Sequence, residues 1–322
     1  MDLMLQSEAG EDLMLLAPLT LDYACGIGDD PENDFSLTFA RPVPAIKAGM
    51  AVYAPGTSYG GVLRKQSPSG DGVEWEGDTW EGVLSSRVIV PDGGVGALTV
   101  SGEANSVIAS LVSRLGLSGV FSVAGWDSGI SWRSYTFDNY ADLLTGLVKM
   151  LSSKGAKLRI RHDGTRPQLA AVPAKDWSRD EEFDADLVDV QVSIDHIPVN
   201  HLVARGEGTD GERVAAELYL DGSGNVSEKR TFSGRWERQE FYDYTSADRD
   251  KLLEDGTKRL KKYWDESRAV EVSLDGGGEA YDLGDVIGGT DPRCGVSATA
   301  TVNKKILTID ALGNMTVEVK AG

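Results

Sequence analysis

The chain has 322 residues, 41% of them hydrophobic, which is enough for two or three domains that each bury a core. Its formal net charge is -19 and its pI is about 4.6. This composition argues against sequence-specific nucleic-acid binding, because that affinity comes from basic side chains that release counterions from phosphates.

Cysteine content and the length of the apolar runs indicate where the protein is made and whether it enters a membrane. Cys25 and Cys294 lie at opposite ends of the chain, so there is no disulfide framework and no Cys-x-x-Cys metal or redox pair. The N-terminus lacks a basic segment, and no apolar run approaches the roughly 20 residues of a membrane span. We therefore expect cytoplasmic synthesis, no signal-peptide export and no membrane insertion.

Residues 1–97 have the pattern of a β-rich domain. Gly, Pro, Asp and Asn separate many short apolar runs, which is typical of a sandwich or barrel. We predict an N-terminal β-barrel or split-barrel domain here. The runs lie at 13–16, 19–23, 35–39, 50–53, 61–63 and 83–90.

Residues 98–178 change character and predict a small α+β domain. Apolar residues at helical spacing over 107–115 are followed by Gly116 at the C-cap position. A second helix is predicted from about Asp138 to Leu151, with Gly155 as its stop. Residues 120–132 look extended, and the runs 157–161 and 169–172 predict a hairpin.

An acidic stretch at 176–189 separates this domain from the next. A solvated linker explains it better than a metal site, because nothing there fixes an oxygen cage. We place a domain boundary at 178/179.

Residues 179–322 predict a C-terminal β-barrel domain that carries one helix. Apolar runs at 201–204 and 216–220 indicate strands, and alternating runs follow at 270–274 and 296–309. Between them, Thr245 as N-cap and an apolar stripe predict a helix over about 246–264.

The order of features in this last part resembles the baseplate and tail-tip hub proteins of tailed bacteriophages. That family also occurs in contractile tails and in prophage tail-like particles. Weaker resemblances in the N-terminal part are a strand pair formed by 75–77 with 79–90, and opening strands at 34–39. The matching features are 200–206, 240–244, the helix, 281–287 and 304–309.

The resemblance implies a predominantly β, α+β fold, with two β-barrel-like domains flanking the small α+β domain. It also implies a homotrimer whose ring joins the tail tube or distal tail protein to the tip or spike. The chain would then be a structural protein of the virion tail, assembled in the bacterial cytoplasm. We expect no enzymatic activity, catalytic residue, cofactor or metal. An acidic bore would limit DNA adhesion, although solubility is the more common reason for an acidic surface.

Several short motifs match the patterns of catalytic or metal-binding sites. Residues 56–60 match the nucleophile-elbow pattern around Ser58, but the following residues favour a hairpin tip over the required helix. Pro198 separates His196 from His201 and removes the helical spacing of a metal pair, and His162 is the only other histidine. The region 221–232 begins like a calcium loop but lacks its Gly and Glu, so we predict a plain turn.

A different class of function stays open as the alternative. The chain could be a cell-wall hydrolase or peptidase, or a carbohydrate-binding module on the same fold, with carboxylate pairs or tryptophans as the working groups. The sequence ends directly after the last predicted strand, which leaves no room for a lysin module. Tryptophans in strands are more often core residues than part of an exposed sugar-binding surface. Those considered are Trp75, Trp80, Trp126, Trp132 and Trp177.

Overall fold

The structure is a computed structural model that describes residues 1–28, 31–70, 72–94, 96–179, 188–209, 211–275, 280–291 and 296–322. It is mostly β with few helices, which confirms the predicted fold class. Contacts divide the chain into two units. Unit 1 comprises Met1–Val190, Val272–Thr290 and Ser297–Gly322, and unit 2 comprises Gln191–Glu271 and Asp291–Val296.

The described residues contain four α-helices and 21 strands, named here in chain order. The helices are α1 (Trp80–Ser85), α2 (Ala104–Arg114), α3 (Leu143–Ser152) and α4 (Arg249–Glu266). The strands are β1 (Leu3–Gln6), β2 (Asp12–Leu16), β3 (Thr20–Gly26), β4 (Asp34–Phe39), β5 (Ala51–Tyr53), β6 (Gly60–Ser69), β7 (Gly72–Thr79), β8 (Thr99–Glu103), β9 (Ser122–Val123), β10 (Ser131–Thr136), β11 (Ala156–His162), β12 (Pro167–Pro173), β13 (Val188–Ile194), β14 (His201–Arg205), β15 (Ala215–Leu220), β16 (Val226–Ser227), β17 (Gln239–Asp243), β18 (Arg268–Asp275), β19 (Val286–Asp291), β20 (Val296–Ile309) and β21 (Met315–Ala321).

Unit 1 is built on one long antiparallel sheet. Its strands follow the order β18-β21-β20-β3-β4-β7-β6-β5-β1-β2, with β19 beside β20. Side chains alternate between its faces, as the two-residue period of a strand requires. Tyr23, Phe35, Leu37 and Leu307 lie on the buried face.

Strands β20 and β21 belong to unit 1. β20 pairs with β3, from Lys304 opposite Gly26 to Ile309 opposite Leu21. The local pattern of β20 specifies a strand but not which sheet edge it joins, because any exposed edge offers the same backbone groups. The three-domain division at 97 and 178 stays a prediction.

Residues 80–85 form helix α1, so the prediction of a strand over 83–90 was wrong. Thr79 is the N-cap, and its side-chain oxygen accepts a hydrogen bond from the Gly82 amide. Trp80 and Leu84 are buried in the apolar cluster that α1 shares with α2 and α3. The same apolar residues fit both the two-residue period of a strand and the 3.6-residue period of a helix. The N-cap hydrogen bond of Thr79 favours the helix.

The middle of unit 1 follows the predicted α+β pattern. Helix α2 matches the 107–115 stripe, and β11 and β12 form the predicted hairpin. Helix α3, however, begins at Leu143 instead of about Asp138, because Asp142 caps it by accepting a hydrogen bond from the Thr145 amide. Tyr140 lies within the helix predicted from the sequence, but it is 56% exposed and has a φ of 55°.

Unit 2 consists of a four-stranded sheet and helix α4. The strand order is β16-β15-β14-β17, with β14 and β17 parallel. Leu252 and Leu260 on α4 are fully buried against the sheet. The helix N-cap is Asp248 instead of the predicted Thr245, since the Asp248 carboxylate accepts from the Lys251 amide.

Parts of two expectations lie outside the described residues. These are the acidic linker over 180–187 and Cys294. Cys25 is a buried free thiol. Within the described ranges, no helix has the length and apolar character needed to cross a bilayer.

Candidate assembly site

The hairpin of β1 and β2 leaves an apolar edge strand exposed in unit 1. In the described part of the chain β2 pairs only with β1 and ends the strand order of the sheet. Leu13, Met14 and Leu15 are 44%, 40% and 58% exposed. An apolar strand with free backbone donors and acceptors is a template for pairing with another chain.

A second exposed edge lies in unit 2. Strand β17 ends the four-stranded sheet, and Phe241 on it is 58% exposed. Trp236, in the turn before β17, is 56% exposed. The other face of β17 packs on α4, where the Arg259 guanidinium hydrogen-bonds Glu240 at 2.9 Å. The exposed face therefore adds a large aromatic surface next to unpaired backbone groups.

The outer face of the long sheet in unit 1 is acidic. β3, β4, β7 and the loop before β4 place five carboxylates around one shallow groove, and Arg64 on β6 is the cation among its lining residues. Two of these carboxylates are paired, Glu32 with Lys304 and Glu76 with Lys65. Burial and the neighbouring carboxylates raise the pKa of Asp34. These charges repel phosphates instead of attracting them. The carboxylates belong to Asp22, Glu32, Asp34, Glu74 and Glu76.

A buried charge cluster fixes the loop before β19 to the β11–β12 hairpin. The Lys157 ammonium lies 2.7 Å from Asp285 Oδ1 and 3.0 Å from Asp282 Oδ2. The Asp285 carboxylate also accepts from the Lys175 amide at 2.8 Å and the Trp177 indole N–H at 3.3 Å. Its oxygens are thus fully used by the protein, which makes this cluster a structural element.

The histidines have partners that the sequence did not identify. His162 is buried and stacks on Tyr53 with ring centroids 3.5 Å apart. Burial lowers its pKa to about 4, so the imidazole is neutral at pH 7. His201 begins β14, stacks on Tyr219, and has its Nδ1 2.9 Å from the Glu237 carboxylate.

These contacts do not assemble a nucleophilic triad. Within the described ranges, no serine, threonine or cysteine side chain hydrogen-bonds the ring of either His162 or His201. No group of three or more His, Cys, Asp or Glu side chains with metal-binding geometry occurs there either.

The remaining motifs have structural roles. Ser58 lies in the turn that joins β5 to β6, so the hairpin prediction is confirmed and the nucleophile elbow is absent at this position. Asp221 accepts hydrogen bonds from the Ser223 and Asn225 amides, as in the plain turn that was predicted. These amide hydrogen bonds lower the pKa of Asp221.

The tryptophans do not form an exposed platform. Trp75, Trp80 and Trp132 are buried, at 6%, 1% and 7% exposure. Trp126 is exposed with the Arg159 guanidinium 5.7 Å from its ring centroid, and Trp177 is half-buried against Tyr281. Three of the five rings therefore belong to the core, as the more ordinary interpretation predicted.

The fold is shared with solved tail proteins. A tail protein from Neisseria meningitidis MC58 aligns over 99% of this chain and 95% of its own, at 12% identity and a TM-score of 0.54. The 43 kDa tail protein of prophage MuSo2 from Shewanella oneidensis aligns over 100% and 98%, at 12% identity and a TM-score of 0.57. Prophage tail protein gp18 from Listeria monocytogenes EGD-e aligns over 99% and 94%, at 11% identity and a TM-score of 0.50.

Sequence comparison does not extend this similarity. No protein-family model matches the chain, and no curated protein matches it. At identities of 11% to 12%, the three structures establish a common fold over nearly the whole length. The fold expected from the sequence resemblance is thereby confirmed.

Proposed function

We propose that this chain is a structural component of a phage or prophage tail, a hub whose ring connects the tail tube to the tip or spike. The observation that carries the proposal is the full-length fold shared with three tail proteins. It would act in the virion tail after assembly in the bacterial cytoplasm. Its partners would be two further copies, the tube or distal tail protein, and the tip protein.

The exposed edges supply the surfaces that such an assembly needs. A closed ring of identical subunits uses two different patches on each subunit, because each copy contacts one neighbour on either side. The apolar edge of β2 and the aromatic edge of β17 are two such patches on separate strands. We assign both to subunit interfaces.

The acidic groove fits a bore through which DNA passes. Asp22, Asp34 and Glu74 would face the passing phosphates and keep them from adhering, while Glu32 and Glu76 are neutralised by Lys304 and Lys65. This role requires neither a catalytic residue nor a cofactor, and we propose that the chain has no enzymatic activity.

Molar mass in solution tests the proposed ring. Light scattering coupled to size exclusion should give a species near three times 34.5 kDa for the wild type. Leu15→Lys and Phe241→Lys should each shift the population toward monomer, because each places a charge on a proposed interface. A wild type that stays monomeric at high concentration and in the presence of tube protein would contradict the proposal.

Leu312→Lys is the matched control. Leu312 is 87% exposed in the turn between β20 and β21, so its replacement makes the same chemical change away from a strand edge. The control should leave the mass unchanged. Equal loss of trimer in all three variants would remove the assignment of the two edges.

A further inference from the structure

Unit 1 contains a cavity that the proposed tail role does not use. Its volume of about 210 Å³ exceeds the roughly 150 Å³ of an engineered apolar cavity that takes up benzene. Helix α3, strand β11 and the loop before β19 contribute most of its wall. The apolar lining includes Ile27, Leu144, Val148, Leu158, Ile160 and Val286.

One carboxyl oxygen in this apolar wall has no hydrogen-bond partner among the described residues. Glu81 lines the cavity and is only 5% exposed, and its Oε2 atom has no hydrogen-bond partner within the described residues. The side chain of Thr79 hydrogen-bonds the same carboxyl group. An unsatisfied buried oxygen costs free energy that a bound donor would recover.

The charges around Glu81 favour a cation. Lys157 also lines the cavity, but Asp282 and Asp285 already bind its ammonium. Lys305 on β20 is buried and interacts with Glu81 at long range, without an ion pair within 4.0 Å among the described residues. When Glu81 is ionised, these two cations and the three carboxylates of Glu81, Asp282 and Asp285 leave one negative charge unbalanced. Tyr23 and Cys25 on β3 also face Glu81, and burial raises the pKa of both, so they stay neutral at pH 7.

We propose that the cavity binds an unbranched aliphatic primary amine. The ammonium group would pair with Glu81, and the methylene chain would pack on Leu144, Val148 and Leu158. A free alkylamine and the lysine side chain of another protein share this chemistry. The proposal is independent of the tail assignment.

Proton linkage gives the site a pH signature. Burial raises the pKa of Glu81 to about 7, and the charge of Lys305 opposes that shift. An ammonium ligand favours the carboxylate form, while its own pKa of about 10.4 keeps it charged throughout. Affinity for the amine therefore increases between pH 6 and pH 8.

Titration with hexylamine and hexan-1-ol tests the site, with the methyl NMR signals of Leu144, Val148 and Leu158 as the readout. Hexylamine should shift these signals and bind about tenfold more tightly at pH 8 than at pH 6, following the ionised fraction of Glu81. Hexanol should bind more weakly than hexylamine at pH 8 and show no such increase.

Variants separate the carboxyl group from the apolar wall. Glu81→Gln should remove the pH dependence and reduce hexylamine to the affinity of hexanol. Ser152→Trp should fill the cavity from its exposed rim and abolish binding of both compounds, even if Glu81→Gln fails to fold. Ser113→Trp, at an exposed position on α2, is the matched control and should bind like the wild type.

A capped peptide with one lysine identifies the source of the amine. Competition with hexylamine assigns the site to a protein lysine, and retained hexylamine binding without competition assigns it to a free amine. Equal affinity for hexylamine and hexanol, or hexylamine affinity that does not change with pH, would overturn the proposal.

Discussion

Two buried carboxyl groups of unit 1 differ in how completely the protein hydrogen-bonds them. Asp285 is 1% exposed and receives hydrogen bonds from Lys157, Lys175 and Trp177. Glu81 is 5% exposed, and one of its oxygens has no hydrogen-bond partner among the residues that the structure describes. The hydrogen bonds to Asp285 use both of its oxygens, whereas burial of Glu81 raises its pKa and so favours its protonated form.

Lys157→Met tests the satisfied cluster. The substitution leaves Asp282 and Asp285 without their cation, and removal of one partner of a buried pair costs about 3–5 kcal/mol. Guanidinium denaturation should show a loss of this order in the free energy of unfolding. Lys149→Met is the control, because Lys149 pairs with Asp138 at 58% and 67% side-chain exposure and should cost less than about 1 kcal/mol. Equal losses would contradict the structural role of the cluster.

Glu81→Gln tests the unsatisfied group through the pH dependence of stability. Burial raises the pKa of Glu81 from 4.5 to about 7, so its protonated form stabilises the fold below pH 4.5, and that contribution is lost as pH rises through 7. The stability difference between variant and wild type should therefore move in favour of the variant from pH 5 to pH 8, by up to about 3 kcal/mol. Denaturation curves at four pH values measure it, and a difference that does not change with pH would show that Glu81 is not shifted.

At the scale of elements, caps decide where helices begin. Thr79, Asp142 and Asp248 each accept an amide hydrogen bond from the first turn of α1, α3 and α4. An apolar stripe shows which residues face the core, but it extends past the true helix start wherever a loop residue fits the same spacing. Tyr140, ahead of α3, is such a residue.

Asp142→Ala should destabilise unit 1 by about 1 kcal/mol, because the Thr145 amide loses its acceptor. Thermal or chemical unfolding measures the loss. Asp138→Ala is the matched control at the start predicted from the sequence, and its exposed carboxylate should cost less than Asp142. A larger effect at Asp138 would place the helix start there instead.

The sequence predicted those elements whose signals lie within a few neighbouring residues. Helix α2 has a stripe and a glycine stop within 13 residues of sequence, 104–116. The β11–β12 hairpin has an alternating run and an apolar run around one turn. Helix α1 was missed because Trp80, Val83 and Leu84 suit a strand as well as a helix. The contacts of Lys157 with Asp285 join positions far apart in the chain, and no spacing rule reveals such a pair.

At the scale of the molecule, the resemblance predicted the fold class, but neither it nor periodicity predicted which strands pair across the chain. The structure pairs β20 with β3. Strand pairing between chain ends depends on which edge is free after the rest has folded, and one sequence does not state that. The burial of Glu81 has the same cause, since β3 and β20 both face it.

The proposed role also belongs to this scale, because a ring is a property of several copies and not of one chain. Tail particles purified from the phage or bacterium that encodes the chain provide the most direct test. Quantitative mass spectrometry of these particles should find the chain as a fixed component, at about half the copy number of the protein in one sixfold tube ring. Absence of the chain from intact particles, with the chain recovered only in the soluble fraction, would contradict a structural role in the tail.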